Sequence, residues 1–305
     1  MSKNHDLRLF KKIVDLQAYL KNNASIGFVP TMGALHEGHL SLIERSKAEN
    51  TLTVCSIFVN PKQFNNADDF TKYPITIDKD IRLLEQIGCD VLFLPDVKEI
   101  YPPQDSPTEK LDFGFIGTTL EGAMRPGHFD GVAIVVERLI RIVHPNKMYL
   151  GLKDYQQVLI IKKMVELKAL ALEIITCPTH RESDGLAMSS RNARLNSQTR
   201  EEALILSKVL FWMRDHIHEM SMEILIEQAK QKIIQFPNIK LEYLEIRNAE
   251  NLHMIEPGQD MKLDCVILIA AWAGDVRLYR QCASIALIES NSVNENHLNH
   301  IVHLS

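Results

Sequence analysis

The 305-residue chain is 46% hydrophobic and 24% charged with a formal net charge of −5, which predicts a soluble protein of two domains with ample core. That acidic balance argues against an extended nucleic-acid footprint, and no apolar run reaches the ~18 residues of a membrane span. Cys55, Cys89, Cys177, Cys265 and Cys282 are odd in number, widely spaced and mostly inside apolar runs, so they read as reduced core residues of a cytoplasmic protein rather than a disulfide framework.

The N-terminal stretch MSKNHDLRLFKKIVDLQAYL has charges scattered through its apolar positions and lacks the uninterrupted core of a signal peptide. Its Leu9, Ile13, Leu16 and Leu20 fall on one helical face. Further along, SIGFVP, TLTVCSIFV, CDVLFLP and ALEIITCP are short apolar runs rich in Val, Ile and Phe. Helical patterns lie between and around them, near 40–49, 78–88, 132–143 and 155–167. Apolar strands alternating with helices indicate a parallel sheet covered on both faces, with ligands at the carboxyl ends of its strands. After the polar stretch RESDGLAMSSRNARLN (181–196), two helical patterns (197–219 and 222–235) precede strand-like KLEYLEIR, CVILIAAWA and VRLYR. The expected division is an α/β domain over 1–185, a smaller α+β covering domain over 186–290 and a polar tail over 291–305. In the tail His297, His300 and His303 could line a helix and bind metal, although a frayed terminus is the simpler reading.

The chemistry concentrates at TMGALHEGH (31–39), where the first long strand hands over to a helix. Gly33 and Gly38 suit a sharp bend or a close backbone approach. A helix starting near Glu37 offers unpaired N–H groups and the positive end of its dipole, and His36 and His39, three apart, can both face that anion site. HEGH has the wrong spacing for the HExxH zinc signature, and neither the dinucleotide fingerprint nor a Walker A loop occurs. Phosphate handling is therefore the favoured chemistry. Three later segments end or follow strands: FVNPKQF brings Asn60 and Gln63, YLGLKDYQQ brings Gly151, Lys153, Asp154 and Gln157, and RESDGLAMSSRN brings Ser189, Ser190 and Arg191. A lysine, two hydroxyls and a guanidinium are the donors a triphosphate needs.

VPTMGALHEGH, SIFVNPKQF, RPGHFDGVA, GLKDYQQV and RESDGLAMSSRN, in that order over about residues 25–195, closely resemble the pantoate–β-alanine ligase (pantothenate synthetase) family. The resemblance implies a Rossmann-like nucleotidyltransferase domain of the HxGH type, usually in a homodimer. It also implies an ATP-dependent ligase that makes pantoyl-adenylate and pyrophosphate from ATP and (R)-pantoate. β-Alanine then displaces AMP to give pantothenate, with Mg2+ accompanying the ATP and no permanently bound cofactor.

Carried over by position, Met32, Gly33, Ala34, Leu35, His36, Glu37, Gly38 and His39 would contact ATP, with His39 the proton donor. Gly151, Leu152, Lys153, Asp154, His180, Met188, Ser189, Ser190 and Arg191 would hold nucleotide and phosphates. Gln63 would contact pantoate and β-alanine, Gln157 pantoate, and Asn60 and His128 would belong to the pantoate pocket. Three positions depart from the family pattern: Ile75 replaces a common Arg, Leu150 a common Phe, and His180 an apolar residue. The rival readings are another specificity on the same fold, such as a nucleotidyltransferase acting on a phosphorylated acceptor, and a nucleotide-binding sensor without catalysis. The neutral Gln63 and Gln157 disfavour the first. The full set of phosphate-handling groups disfavours the second.

Overall fold

The structure, a computed structural model, describes residues 6–65, 67–103, 110–255 and 265–285. Its first unit is a six-stranded, wholly parallel sheet. The strands are β1 (Arg8–Phe10), β2 (Ile26–Thr31), β3 (Leu52–Ile57), β4 (Val91–Phe93), β5 (Lys147–Gly151) and β6 (Glu173–Cys177), in spatial order β1-β4-β3-β2-β5-β6. The principal helices around it are α1 (Ile13–Leu20), α2 (Glu37–Glu49), α3 (Ile77–Ile87), α4 (His128–Val143) and α5 (Tyr155–Leu167).

Alternation along the strands sorts their side chains onto two buried faces. Phe28, Val54, Phe93 and Met148 join α1, α4 and α5 in one core. Their neighbours Val29, Cys55, Leu92 and Tyr149 join α2 and α3 in another. With both faces covered, the strands read as unbroken apolar runs. From β2 the chain proceeds to β3 and β4 on one side and later to β5 and β6 on the other, so β2 and β5 flank the topological switch point. In open parallel sheets ligands bind in the crevice beyond such a point.

The N-terminus departs from expectation. Leu9 does not extend the helical face of Ile13, Leu16 and Leu20. It lies in β1, where Arg8–Phe10 pair with Val91–Phe93, and α1 begins only after Lys12, its first amide (Ile13 N) donating to Glu99 Oε1 at 2.8 Å. Pairing and cap both come from residues about 85 positions away, which a local periodicity does not contain.

The second unit holds α6 (Leu204–His216) and α7 (Met222–Ile233) against an antiparallel sheet of β7 (Ile239–Asn248), β8 (Cys265–Ala273) and β9 (Val276–Ile285). The helical pattern expected over 197–219 divides at Ala203, with a short helix Ser197–Glu202 ahead of α6. Along β8, Cys265, Ile267, Ile269 and Ala271 face α6 and α7. Val266, Leu268 and Ala270 instead meet Leu120, Tyr155 and Leu159 of the first unit. The small sheet is therefore sandwiched, and one ion pair and one tyrosine hydrogen bond bridge it to the first unit: Arg277 Nη1 and Nη2 donate to Glu121 at 2.9 and 3.0 Å, while Tyr243 Oη donates to the same carboxylate at 3.0 Å. Among the described residues no helix is long and apolar enough to cross a membrane. Cys55, Cys89 and Cys177 are buried free thiols and Cys265 is buried, while the side chain of Cys282 and the tail histidines His297, His300 and His303 lie outside the described residues.

Candidate active site

β2 ends at Thr31, and the chain turns through two consecutive residues in the left-handed region, Gly33 (φ 81°) and Ala34 (φ 50°). A side chain on Gly33 would meet Ile57 and Asp80 at 3.0 and 3.1 Å, so it would be crowded as well as strained by the positive φ. His36, in extended conformation, is the N-cap of α2. Its ring lies 4.0 Å from that of His39, centroid to centroid. The His36 amide donates to His39 Nδ1 at 3.4 Å. A main-chain N–H can only donate, so in the neutral His39 ring the proton sits on Nε2. Desolvation first, and the charge of Lys153 second, depress His39 to about 4. Desolvation, then His39 and Lys153, depress His36 to about 2. Both imidazoles are thus neutral at neutral pH, and His36 Nδ1 is buried against the first turn of α2.

Three other segments converge on the same crevice. After β3, a single 3₁₀ turn Pro61–Gln63 follows its N-cap Asn60. Asn60 Oδ1 accepts from Lys62 N and Tyr101 Oη at 3.2 and 2.9 Å, and its Nδ2 donates to Gly131 O and Gln63 Oε1 at 3.0 and 3.2 Å. That leaves Gln63 its Nε2 donors, one of them 3.0 Å from Met32 Sδ. His128, at the start of α4, donates from Nδ1 to the Gln63 carbonyl at 2.8 Å. After β5, Leu152–Asp154 form one 3₁₀ turn leading into α5, where adjacent glutamines part company. Gln156 is buried, its side chain bonded to the main chain at Ile116, Thr119 and Glu121, while Gln157 lines the crevice. After β6, Ser189 caps the 3₁₀ helix Ser190–Arg194, and Arg191 Nη2 is held by Asp69 Oδ2 at 2.9 Å.

A crevice open to solvent lies beyond β2 and β5, where ligands of open parallel sheets collect. Its walls include Met32, His36, His39, Gln63, His128, Lys153, Asp154, Gln157, Ser189, Ser190 and Arg191. Val132, Val135, Val136, Leu139, Ile161 and Leu150 form its apolar floor, where Leu150 acts as a packing residue.

The remaining expected residues stand behind these walls or beside them. Leu35 is in the core beneath α2, and the Ala34 and Leu35 amides are taken by Asp80. Asn60 is 1% exposed behind Gln63, which it orients. Gly33, Glu37, Gly38, Gly151, Leu152, Met188 and His180 are absent from the wall. His180 is exposed, with its carbonyl accepting the Met188 N–H at 3.0 Å, and Ile75 is 71% exposed on the surface. Sequence reasoning missed Asp80, Asp69, Tyr73 and Arg277. Asp80 looks like an ordinary acid in a helix's first turn, and Arg277 comes from β9 of the second unit; neither carries a local signal.

A parallel sheet whose switch-point crevice gathers two neutral histidines, a lysine, paired serines and an arginine is the site of an α/β enzyme. A family model described as pantoate-beta-alanine ligase matches residues 8–282. The pantothenate synthetase of Cytophaga hutchinsonii is 48% identical over 260 residues, 85% of this chain and 91% of that protein. That of Bacteroides thetaiotaomicron is 43% identical over 276 residues, 89% and 97% of the two chains. The crystal structure of pantothenate synthetase from Thermus thermophilus superposes with a TM-score of 0.85 at 38% identity, covering 90% of this chain and 98% of that one. A pantoate-beta-alanine ligase from Francisella tularensis, complexed with beta-gamma ATP and beta-alanine, gives 0.75 at 37% identity, covering 90% and 97%. The chain belongs to the pantoate–β-alanine ligase family and is a ligase of pantothenate biosynthesis.

Proposed function

We propose that the crevice binds ATP and (R)-pantoate side by side and joins pantoate to β-alanine in two steps. The pantoate carboxylate attacks the α-phosphorus, the bond to the bridging oxygen breaks, and pyrophosphate leaves with that electron pair. The β-alanine amine then attacks the acyl carbon of pantoyl-adenylate, AMP departs, and the amine proton passes to solvent. The supporting observation is convergence: residues 31–39, Lys153 and 189–191, far apart in sequence, meet at one crevice at the switch point. The Francisella tularensis relative, with its ATP analogue and β-alanine, supports the same substrates here.

In this reading Lys153, Ser189, Ser190 and Arg191 hold the phosphates. The Nε2–H of His39 donates to the oxygens that gain charge as pyrophosphate leaves, with His36 beside it. Both rings are neutral before substrate arrives, so His39 serves as a hydrogen-bond donor first, and the triphosphate's own charge raises its proton affinity in the complex. Gln63 and Gln157 orient pantoate by neutral amides, which suits a hydroxy acid, and Gln63 also borders the β-alanine position. Among the described residues no group of three or more His, Cys, Asp or Glu could hold a metal. Magnesium enters in this reading as part of the nucleotide substrate. The segment 181–196 and the second unit, joined through Arg277 and Glu121, shield the adenylate from water.

We further infer a domain boundary near residue 185 and a cytoplasmic homodimer, the buried free thiols supporting the compartment and the family resemblance the assembly. Exchange of labelled pyrophosphate into ATP tests the chemistry. It should require pantoate and proceed without β-alanine; ATP binding without exchange would leave only the sensor reading. Light scattering tests the dimer, which requires twice the chain mass.

A further inference from the structure

We propose that Asp80 is a positioning residue for the nucleotide. Its buried carboxylate grips the 33–35 turn and thereby fixes where His36 and His39 emerge into the crevice. The inference rests on the reading that this turn serves ATP.

Asp80 lies in the first turn of α3 and is 0% exposed. Its Oδ2 accepts the Ala34 N–H at 2.9 Å, and its Oδ1 accepts the Leu35 N–H at 2.8 Å and the Thr76 hydroxyl at 3.0 Å. All three donors are dipoles rather than cations. Burying a carboxylate on dipoles alone is unfavourable unless each oxygen is well satisfied, so a plain surface-acid role does not account for it.

The turn needs such a grip. Ala34 carries a side chain at φ 50°, a strained conformation that persists only where the surroundings over-determine it. Two successive amides on one carboxylate supply that constraint. The two also pack closely, Asp80 Oδ2 lying 3.1 Å from where a Gly33 Cβ would stand. The Ala34 and Leu35 amides are consequently not available to phosphate. The turn contributes direction instead, delivering His36 in extended conformation to cap α2 and setting the two rings against the crevice.

Asparagine cannot replace this aspartate in either orientation. Each carboxylate oxygen faces a main-chain N–H, so one of those amides would always meet an –NH₂. The test compares Asp80→Asn with Leu84→Val, a destabilising change one helical turn along at another fully buried position. ATP affinity is measured by calorimetry, alongside pantoate-dependent exchange, pantoate KM and the melting temperature.

Asp80→Asn is expected to weaken ATP binding and exchange about tenfold or more, the scale of a buried donor left unmatched, while pantoate KM stays within about twofold. Leu84→Val should lower the melting temperature and leave both activities near wild type. Wild-type ATP affinity in Asp80→Asn overturns the proposal, as does a parallel loss in Leu84→Val. Absence of exchange in the wild-type protein would defeat the reading of the site, and the ATP titration would still decide the role of Asp80. Should Asp80→Asn not accumulate folded, Asp80→Glu keeps the carboxylate but shifts both oxygens away from the Ala34 and Leu35 amides; it is expected to weaken ATP binding about tenfold, and wild-type ATP affinity overturns the proposal.

Discussion

The rings of His36 and His39 lie 4.0 Å apart and 35° from parallel, with a main-chain amide of one fixing the tautomer of the other. Burial holds His39 near 4 and His36 near 2, against an ordinary value of 6.5. The unfolded chain therefore takes up protons first as pH falls, and stability that is complete above 6.5 is lost between 6.5 and the folded values. The loss is up to roughly 1.4 kcal/mol per pH unit for each ring. Denaturant titrations from pH 7.5 to 4.5 should show this slope, and a His36→Asn/His39→Asn variant should flatten it. An equal slope in that variant would remove the histidines as its source.

His39→Ala should leave the fold intact, because the ring lines the crevice and does not fill the core. Pantoate-dependent pyrophosphate exchange should drop about a hundredfold or more, the range of a positioned proton or hydrogen-bond donor. Unchanged exchange in the folded variant contradicts the role given to Nε2–H.

Gln63 is held at its carbonyl by His128 and at its side-chain oxygen by Asn60, so its amide nitrogen points one way, toward Met32 and the crevice. Gln63→Ala should raise the pantoate KM about tenfold while ATP affinity stays within about twofold, as expected for loss of a substrate hydrogen bond. Selective loss of ATP binding would count against the assignment.

Gly131 gives the same wall its closeness. A Cβ there would lie 2.3 Å from the Lys62 carbonyl oxygen and 2.8 Å from Gln63 Cα, both main chain. Gly131→Ala should push the 61–63 turn outward, lowering stability by about 1–3 kcal/mol and raising the pantoate KM with it. Thermal melts and steady-state kinetics read both effects, and a variant kinetically equal to wild type would show that Gln63 tolerates displacement.

Asp69 holds Arg191 at 2.9 Å and lies 3.6 Å from Arg194. Asp69→Ala should loosen that guanidinium and raise the ATP KM about three- to tenfold, the cost of a partly buried charged hydrogen bond. An ATP KM below the wild-type value would instead mean that Asp69 competes with phosphate for Arg191.

Much of this molecule was legible in the sequence because its signals are local. The two-face burial of Ile26–Thr31 and Leu52–Ile57 writes itself as near-continuous apolar runs. The glycine at position 33 and the capping His36 mark the handover to α2 within a few residues. What remained hidden depends on distant partners. β1 exists because β4 offers an edge about 80 residues away. Asn60 reads as a ligand-binding amide, yet its hydrogen bonds go to Gly131, Tyr101 and Gln63, placing it one layer behind the wall. Gln156 and Gln157 are indistinguishable by composition and are separated only by the phase of α5 against the loop at 116–121.

A structure of the protein with ATP and pantoate tests the central claim most directly. The account predicts one nucleotide with its phosphates between His36 and His39, Lys153 and Ser189–Arg191, and pantoate against Gln63 and Gln157. A nucleotide seated away from any one of those three segments would contradict it.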